Sequence, residues 1–349
     1  MKYFIGLDAH CKTSTFAVVD SNGRCILRET VNTTEKDLSF VINKVQGERS
    51  LTFEESTISQ WLYLQLREKV DELIVCNPVY LAKRPGAKTD FKDALHLAQE
   101  LRTGHLQPVF HDSSHWIQLR VSVSGYLDLI EEIVRSKNRL KSVFRAEAIS
   151  TDDNDFYVTP KRSKHLTNPS AKFVADSLYL QIDFLEEEKQ KYKDLFEQNK
   201  KKYRPIRNLI TIPGISLIRA NIIAALVCQP NRFDNKHRFW GYCMLVRHIQ
   251  KSGGKIYGNK RIFGRRELRN VFMGAAETAM RTDTSLRDHY DAKRAKGAKH
   301  QEAKLSLARQ IASIALCLLK NNDTYNDNYQ DYLKERKKLR VEFYNQTTN

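Results

Sequence analysis

The chain has 349 residues, 41% of them hydrophobic, with 14 Gly, 8 Pro and a formal charge of +17 from 58 basic and 41 acidic side chains. That is enough apolar material for two domains, or one with appendages, and too little Gly and Pro for a fibrous or low-complexity protein. The most apolar stretch, residues 311–319, is interrupted by Ser313 and closed by Lys320, well short of the roughly 20 residues that span a bilayer, so a membrane-embedded protein is not expected.

Residues 3–8, 15–20 and 25–30 read as three strands, the last two joined by the turn Ser21-Asn22-Gly23. Thr34, with Asp37 three residues on, is a cap for a helix running to about Val45. Residues 51–54 form a fourth strand, 58–69 a helix with Trp61, Leu62 and Leu66 on one side, and 72–76 a fifth strand. After Asn77-Pro78 a short helix leads into the loop Arg84-Pro85-Gly86-Ala87-Lys88-Thr89, and residues 90–103 form a helix ended by Gly104. The order βββαβαβα is that of a ribonuclease-H-like α/β domain, assigned to residues 1–110. Apolar residues then recur at helical spacing over residues 116–148 and, past a polar loop at 152–155, over 173–203. These two long helices make an arm or coiled-coil linker, residues 111–204. From Arg204-Pro205 a mainly helical basic domain is predicted over 205–325, followed by a charged tail, 326–349. Asp8 directly behind the apolar residues 3–7 leaves no signal-peptide core, so a cytoplasmic location is expected. Cys11, Cys25, Cys76, Cys228, Cys243 and Cys317 stand singly and read as buried free thiols.

The charge is concentrated. Residues 201–300 hold 22 Lys or Arg against 6 Asp or Glu, a balance of +16, while the rest of the chain is close to neutral. A patch so poor in acidic partners reads as a surface for the phosphate backbone of nucleic acid.

Asp8 ends the first strand, Glu54 ends the fourth, and Asp90 and Asp93 lie one turn apart at the start of a helix. In a ribonuclease-H-like sheet these positions converge at one edge, where four carboxylates repel one another unless divalent cations neutralise them. Hard oxygen ligands suit Mg2+ or Mn2+, and a two-metal phosphodiester site is the natural product. Each carboxylate alone has an ordinary explanation as a turn, cap or surface residue; the ordered set shifts the balance to a metal site. Glu55 rivals Glu54, because side chains alternate along a strand and one of the two faces the metals.

In the basic region, residues 209–215 with the turn Pro213-Gly214, followed by Ala220, Ile222 and Ile223, have the form of a helix-hairpin-helix, whose turn can present backbone N–H groups to a phosphate. Downstream lie Lys251-Ser252-Gly253-Gly254-Lys255 and then Lys260, Arg261, Arg265, Arg266 and Arg269, cations able to hold a phosphate close to a hydroxyl. By these residues alone Ser252 is an ordinary loop serine, Tyr242 and Tyr257 are alternative nucleophiles, and His248 is a candidate for proton transfer or for simple packing.

Gly6-Leu7-Asp8, Glu54-x-Ser56, Lys88-Thr89-Asp90-x-x-Asp93-Ala94 and Ser252-Gly253-Gly254-Lys255, with Ala308-Arg309 in a C-terminal helix, resemble the DEDD transposases of bacterial insertion sequences, the Piv/MooV-type family that also includes site-specific DNA invertases. The resemblance covers residues 1 to about 325. It implies a RuvC-like N-terminal domain with Asp8, Glu54, Asp90 and Asp93 as the metal-binding tetrad, and a transposase domain in which Ser252 attacks DNA. It further implies donor and target DNA as substrates, an element-encoded structured RNA that pairs with both, a homodimer or homotetramer with composite sites, and a place at the nucleoid of a bacterium. Two positions depart from the pattern: Met244-Leu245-Val246-Arg247 stands where many relatives have Gly-Leu-Val-Pro, and Ser216 where a hairpin Gly is common. The alternatives are a structure-selective nuclease or junction resolvase that activates water, and a non-catalytic nucleic-acid-binding protein.

Overall fold

The computed structural model describes residues 1–81, 89–112, 116–152, 154–157, 160–246, 248–253, 255–260 and 264–327. The chain divides into two compact units, Met1–Ser114 and His115–Asn349.

The first unit contains β1 (Lys2–Ala9), β2 (Thr13–Val19), β3 (Cys25–Asn32), α1 (Glu35–Asn43), β4 (Glu48–Glu54), α2 (Ser59–Leu66), β5 (Glu72–Cys76) and α3 (Asp90–Thr103). Strand order is β3-β2-β1-β4-β5, with β1, β2 and β3 antiparallel and β1, β4 and β5 parallel. The period-two alternation sorts the side chains. Ile5, Leu7, Phe16, Val18, Leu51 and Phe53 turn to one face and pack with Leu38, Val41 and Ile42 of α1 and Leu62 and Leu66 of α2. The other face carries α3, through Leu97 and Leu101 against Cys76, Phe4 and Ile74. Caps set the helix limits: the Thr34 hydroxyl accepts from the Asp37 N–H at 3.1 Å, the Thr89 hydroxyl from that of Lys92 at 3.3 Å, and Gly104 ends α3 in the left-handed region, φ 73°. β4 begins at Glu48, three residues ahead of the predicted start. Ladder pairing explains this, because polar residues 48–50 continue the parallel ladder with residues 2–4 of β1.

Gly6 is where the sheet and α3 come closest. A Cβ there would lie 2.0 Å from the Ala94 carbonyl oxygen and 2.5 Å from the Ala98 nitrogen, both of them helix backbone that cannot rotate aside. Gly6→Ala is therefore expected to destabilise the fold by about 3 kcal/mol, the scale of overpacking in a rigid contact, and to displace the helix that starts with Asp90. Urea unfolding monitored by far-UV circular dichroism reads the change; an unaltered midpoint would show that α3 yields freely.

The second unit opens with α4 (Trp116–Arg145) and α5 (Pro169–Lys202). The two run antiparallel, since Tyr126 meets Tyr192 and Phe196, Lys137 pairs with Glu186 at 2.8 Å, and Phe144 meets Tyr179. α5 starts four residues before the predicted Phe173 because the Asn168 side chain caps it by accepting from the Ser170 and Ala171 N–H groups, with Pro169 in the first turn. The far end of the pair closes over Leu140, Phe144, Phe156 and Tyr179. The near end joins one core with α6 (Arg204–Ile210), α7 (Leu217–Val227), α8 (Lys236–Tyr242), α9 (Arg266–Ala279), α10 (Ser285–Ala295) and α11 (His300–Asn321).

The basic region is mainly helical, as its sequence predicts, and adds one feature: β6 (His248–Ser252) and β7 (Lys255–Lys260) form an antiparallel hairpin between α8 and α9. Its residues alternate too irregularly to read as strands, and ladder pairing supplies what propensity does not. One expectation needs correction, that the thiols are buried: all six cysteines are free, but Cys11 and Cys25 are exposed, lying in the β1–β2 turn and at the start of β3. The charged tail is docked as far as residue 327, where the Tyr325 N–H donates to the Thr211 hydroxyl at 2.8 Å and the Asp327 carboxylate accepts from the Ser285 N–H at 3.1 Å; residues 328–349 lie outside the described residues. No helix among the described residues is long and apolar enough to cross a membrane.

Candidate active site

The acidic edge follows from strand register. β1 and β4 are parallel, with Gly6 opposite Thr52 and Leu7 opposite Phe53, so Asp8 and Glu54 are the next residues on adjacent strand ends. Side chains directly opposite in a ladder share a face. Gly6 faces α3, hence Thr52, Asp8 and Glu54 do too, and Glu54 is itself opposite Cys76 on β5. Asp90 and Asp93 occupy the first turn of α3, where carboxylates are favoured by the helix dipole. The oxygens of Asp8 and Asp90 and a ring nitrogen of His10 all lie within 4.8 Å of one another. His10 Nε2 is 3.6 Å from Asp8 Oδ2. Glu54 and Asp93 belong to the same edge but fall outside that three-residue set, Glu54 exposed and Asp93 half-buried.

Glu55 is directed elsewhere. Its carboxylate takes hydrogen bonds from His111 Nε2 at 2.5 Å and from the Ser59 hydroxyl at 3.1 Å, while His111 Nδ1 meets Gln60 Oε1 at 2.9 Å. Ser59 and Gln60 are on α2, across the sheet from α3, so Glu54 is the one of the pair on the Asp8 side. Cys76 sits beside Glu54, and its thiol is pushed up to about 12, chiefly by burial and further by the Glu54 charge, which favours the protonated thiol at neutral pH.

In the second unit, Ser252 is the last residue of β6 and pairs with Lys255 across the hairpin end. Gly253 has φ 54°, the left-handed region that a two-residue hairpin turn demands; Gly254 and Arg261 lie outside the described residues. Backbone hydrogen bonds and two guanidinium groups anchor the base of the hairpin. Arg269 on α9 donates to the Met244 carbonyl at 2.6 Å, Arg309 on α11 to the Leu245 carbonyl at 2.8 Å, and the Arg265 N–H to the Tyr242 carbonyl at 2.7 Å. Arg269, a candidate phosphate contact in the sequence, thus spends at least one donor on the fold. Met244 has φ 52°, the left-handed region, so at this position Met bears a strain that Gly would not. Ser216 has its own use, capping α7 with its hydroxyl accepting from the Arg219 N–H at 3.4 Å.

The helix-hairpin-helix turn is held tightly. Gly214 has φ 87°, a Cβ there would fall 2.3 Å from the Ala275 carbonyl oxygen, and its own carbonyl accepts from Arg219 at 2.6 Å. Burial lowers the pKa of that guanidinium, which sits beside Pro213-Gly214 as a half-desolvated cation. The Tyr242 hydroxyl donates to the Leu226 carbonyl at 2.9 Å and its ring lies under Arg232 at 4.5 Å, a packing role that accounts for the residue. Lys255, Arg265 and Arg266 are exposed around the hairpin, and Lys251 and Lys260 belong to its strands.

Sequence reasoning missed His10, His111 and the anchoring role of Arg309. A signal existed for the first: residues two apart at a strand end lean to the same side. None existed for His111, which reaches Glu55 across 56 residues.

Comparison with known proteins places these features in context. A family model described as a transposase matches residues 5–147, and one described as the transposase IS116/IS110/IS902 family matches residues 206–291. An uncharacterized 42 kDa protein of insertion element IS900 from Mycobacterium paratuberculosis is 29% identical over 136 residues, 38% of this chain and 34% of the relative. An uncharacterized 43.6 kDa protein of insertion element IS110 from Streptomyces coelicolor is 29% identical over 118 residues, 34% of this chain and 29% of the relative. The matched segments therefore span about a third of each relative's length.

Proposed function

The chain belongs to the IS110 family of DEDD transposases, and from that premise we propose that it cuts and rejoins the DNA of a bacterial insertion sequence through a serine nucleophile and a divalent-metal site. The first unit is then a RuvC-like catalytic domain, residues 1–110, the long helices 111–204 an arm, and residues 205–325 the transposase domain. The observation that carries the reading is the shared face of Asp8 and Glu54 with the first turn of α3 alongside. Donor chemistry fits the metal: Asp8, Glu54, Asp90 and Asp93 supply carboxylate oxygens, the ligands that Mg2+ and Mn2+ prefer, and two of the four lie within 4.8 Å of each other. When bound, the metal supplies Lewis-acid charge stabilisation at the scissile phosphate.

The chain's own residues do the rest. Ser252 Oγ forms a bond to phosphorus as the scissile P–O ester bond breaks, and the proton that the hydroxyl gives up is balanced by the one the departing oxygen takes on. Lys251, Lys255, Lys260, Arg261, Arg265 and Arg266 hold the phosphate backbone, and the Pro213-Gly214 turn with Arg219 grips a second stretch of strand. The resulting phosphoserine ester conserves the bond energy, so rejoining needs no nucleotide cofactor. Two or four copies contribute composite sites, and an element-encoded RNA selects donor and target by base pairing.

The test supplies full-length protein with element-end DNA, target DNA, RNA transcribed from the noncoding flank and Mg2+ or Mn2+. Joined product that requires all of these is expected; equal product without the RNA, or after chelation, removes the corresponding part of the reading. Binding should also report the +16 of residues 201–300: log K for duplex DNA falls with log salt at a slope of about −0.9 per phosphate neutralised. Replacing Arg265 and Arg266 by Gln should make that slope shallower by about 1 to 2, read by fluorescence anisotropy from low to moderate salt. An unchanged slope would place the DNA elsewhere.

A further inference from the structure

We propose that His10 donates a ring nitrogen to the ion held by Asp8 and Asp90, and that this makes the acidic site prefer Mn2+ to Mg2+. The inference rests on the assignment of Asp8 and Asp90 as metal ligands and adds to it a ligand and a selectivity. His10 follows β1 directly, two residues beyond Asp8, and its backbone is pinned on both sides: its N–H donates to the Thr13 carbonyl at 3.0 Å and its carbonyl accepts from the Thr33 hydroxyl at 2.6 Å. The side chain thus leaves a fixed base. Its ring is 60% exposed, so burial in a core does not account for its orientation. It faces Asp8 at ion-pair distance, 3.6 Å between Nε2 and Oδ2, a contact longer than a hydrogen bond.

That separation does suit two ligands of one ion. Donors bound at about 2.1 Å to an octahedral centre stand roughly 3 Å apart when adjacent and about 4.2 Å when opposite. The three donor atoms, all within 4.8 Å of one another, reach such spacing by small rotations of the exposed His10 and Asp90 side chains about the half-buried Asp8. Asp90 comes to the set from the first turn of α3, which Gly6 allows to lie against the sheet. The ligand set is therefore mixed, two carboxylate oxygens and one imidazole nitrogen. Mg2+ favours oxygen and releases its water reluctantly, whereas first-row transition ions accept imidazole readily. A tetrad of carboxylates alone offers no such preference for nitrogen-accepting ions.

The experiment uses the purified full-length chain as wild type, His10→Ala and Asp8→Asn. Mn2+ binding is titrated by the electron paramagnetic resonance signal of the free ion, Mg2+ by competition, and pulsed spectra of bound Mn2+ report a directly coordinated 14N. Wild type is expected to show the nitrogen coupling. His10→Ala should lose it and bind Mn2+ about tenfold more weakly or worse, within the range seen when a metal site loses a supporting group, with Mg2+ affinity changed less than about threefold. His10 is exposed, so circular dichroism should show an unchanged fold. Retained 14N coupling and Mn2+ affinity in His10→Ala, while Asp8→Asn abolishes binding, overturns the role of His10 and leaves the carboxylate site standing. Wild-type Mn2+ binding by Asp8→Asn overturns the carboxylate site, and the proposal with it.

Discussion

Asp8→Asn is expected to lower DNA cleavage by about a thousandfold or more while the protein stays folded. The substitution preserves the shape of a strand-end side chain and removes one negative charge from the edge shared with Glu54 and Asp90. Charge stabilisation by a bound metal is worth several kcal/mol at the transition state, and each 1.36 kcal/mol is tenfold in rate, so losing about 4 kcal/mol gives about that factor. Stability should hold or rise, because like charges close together repel and Asn relieves part of that repulsion. Single-turnover cleavage of a labelled substrate in saturating Mn2+ measures the rate, and thermal unfolding checks the fold. Glu54→Gln should behave the same way and Glu55→Gln should not, since Glu55 is bonded to His111 and Ser59 instead. Wild-type rates for Asp8→Asn, or equal losses for the two glutamate variants, would falsify the assignment of the site.

Ser252→Ala should abolish strand exchange and leave metal loading and DNA affinity within about twofold, since a single hydroxyl contributes little to a phosphate grip dominated by cations. The loss should be complete within detection, because the hydroxyl is the reacting atom rather than a stabiliser of the reaction. Ser252→Cys might be thought conservative, yet longer bonds and softer sulfur suit phosphorus and hard metals poorly, so only a trace of activity is expected. A nicked suicide substrate traps the covalent species, and mass spectrometry of the DNA-linked peptide locates it. The peptide spanning residues 248–255 should carry the adduct. An adduct on Tyr257 would move the nucleophile within the same hairpin; one on Tyr242 would require its hydroxyl to leave the Leu226 carbonyl. Cleavage by Ser252→Ala without any adduct would make the protein a nuclease that activates water.

The acidic site was legible as a set of positions but not as an arrangement. Asp8, Glu54, Asp90 and Asp93 could be marked because each stands at the end of a strand or the start of a helix whose period and caps are local properties: Thr89 caps and Gly104 terminates α3 where the residue types require. The five strands of the first unit and its three α-helices likewise follow from apolar alternation, turn residues and caps. In the second unit the two long helices were readable from their periodicity, and the Pro213-Gly214 turn from its composition.

Other features depend on partners distant in the sequence. The choice between Glu54 and Glu55 was open because alternation says only that the two face oppositely; it closes once parallel pairing of β1 with β4 puts Thr52 beside Gly6 and sends Glu55 to His111. His10 gained meaning only when α3 brought Asp90 to within 4.8 Å. The serine hairpin was hidden because residues 248–260 lack a strand pattern, and its two strands are defined by pairing with each other. Even the strain at Met244 became visible only with its backbone angle. The sequence by itself determined the elements, their order, the concentration of positive charge and the family likeness, all of which depend on neighbouring residues or on motif order. Tertiary structure decided which carboxylate shares the Asp8 face, which histidine joins it and which arginines serve the fold, because those depend on strand register and on distances between segments that no local pattern encodes.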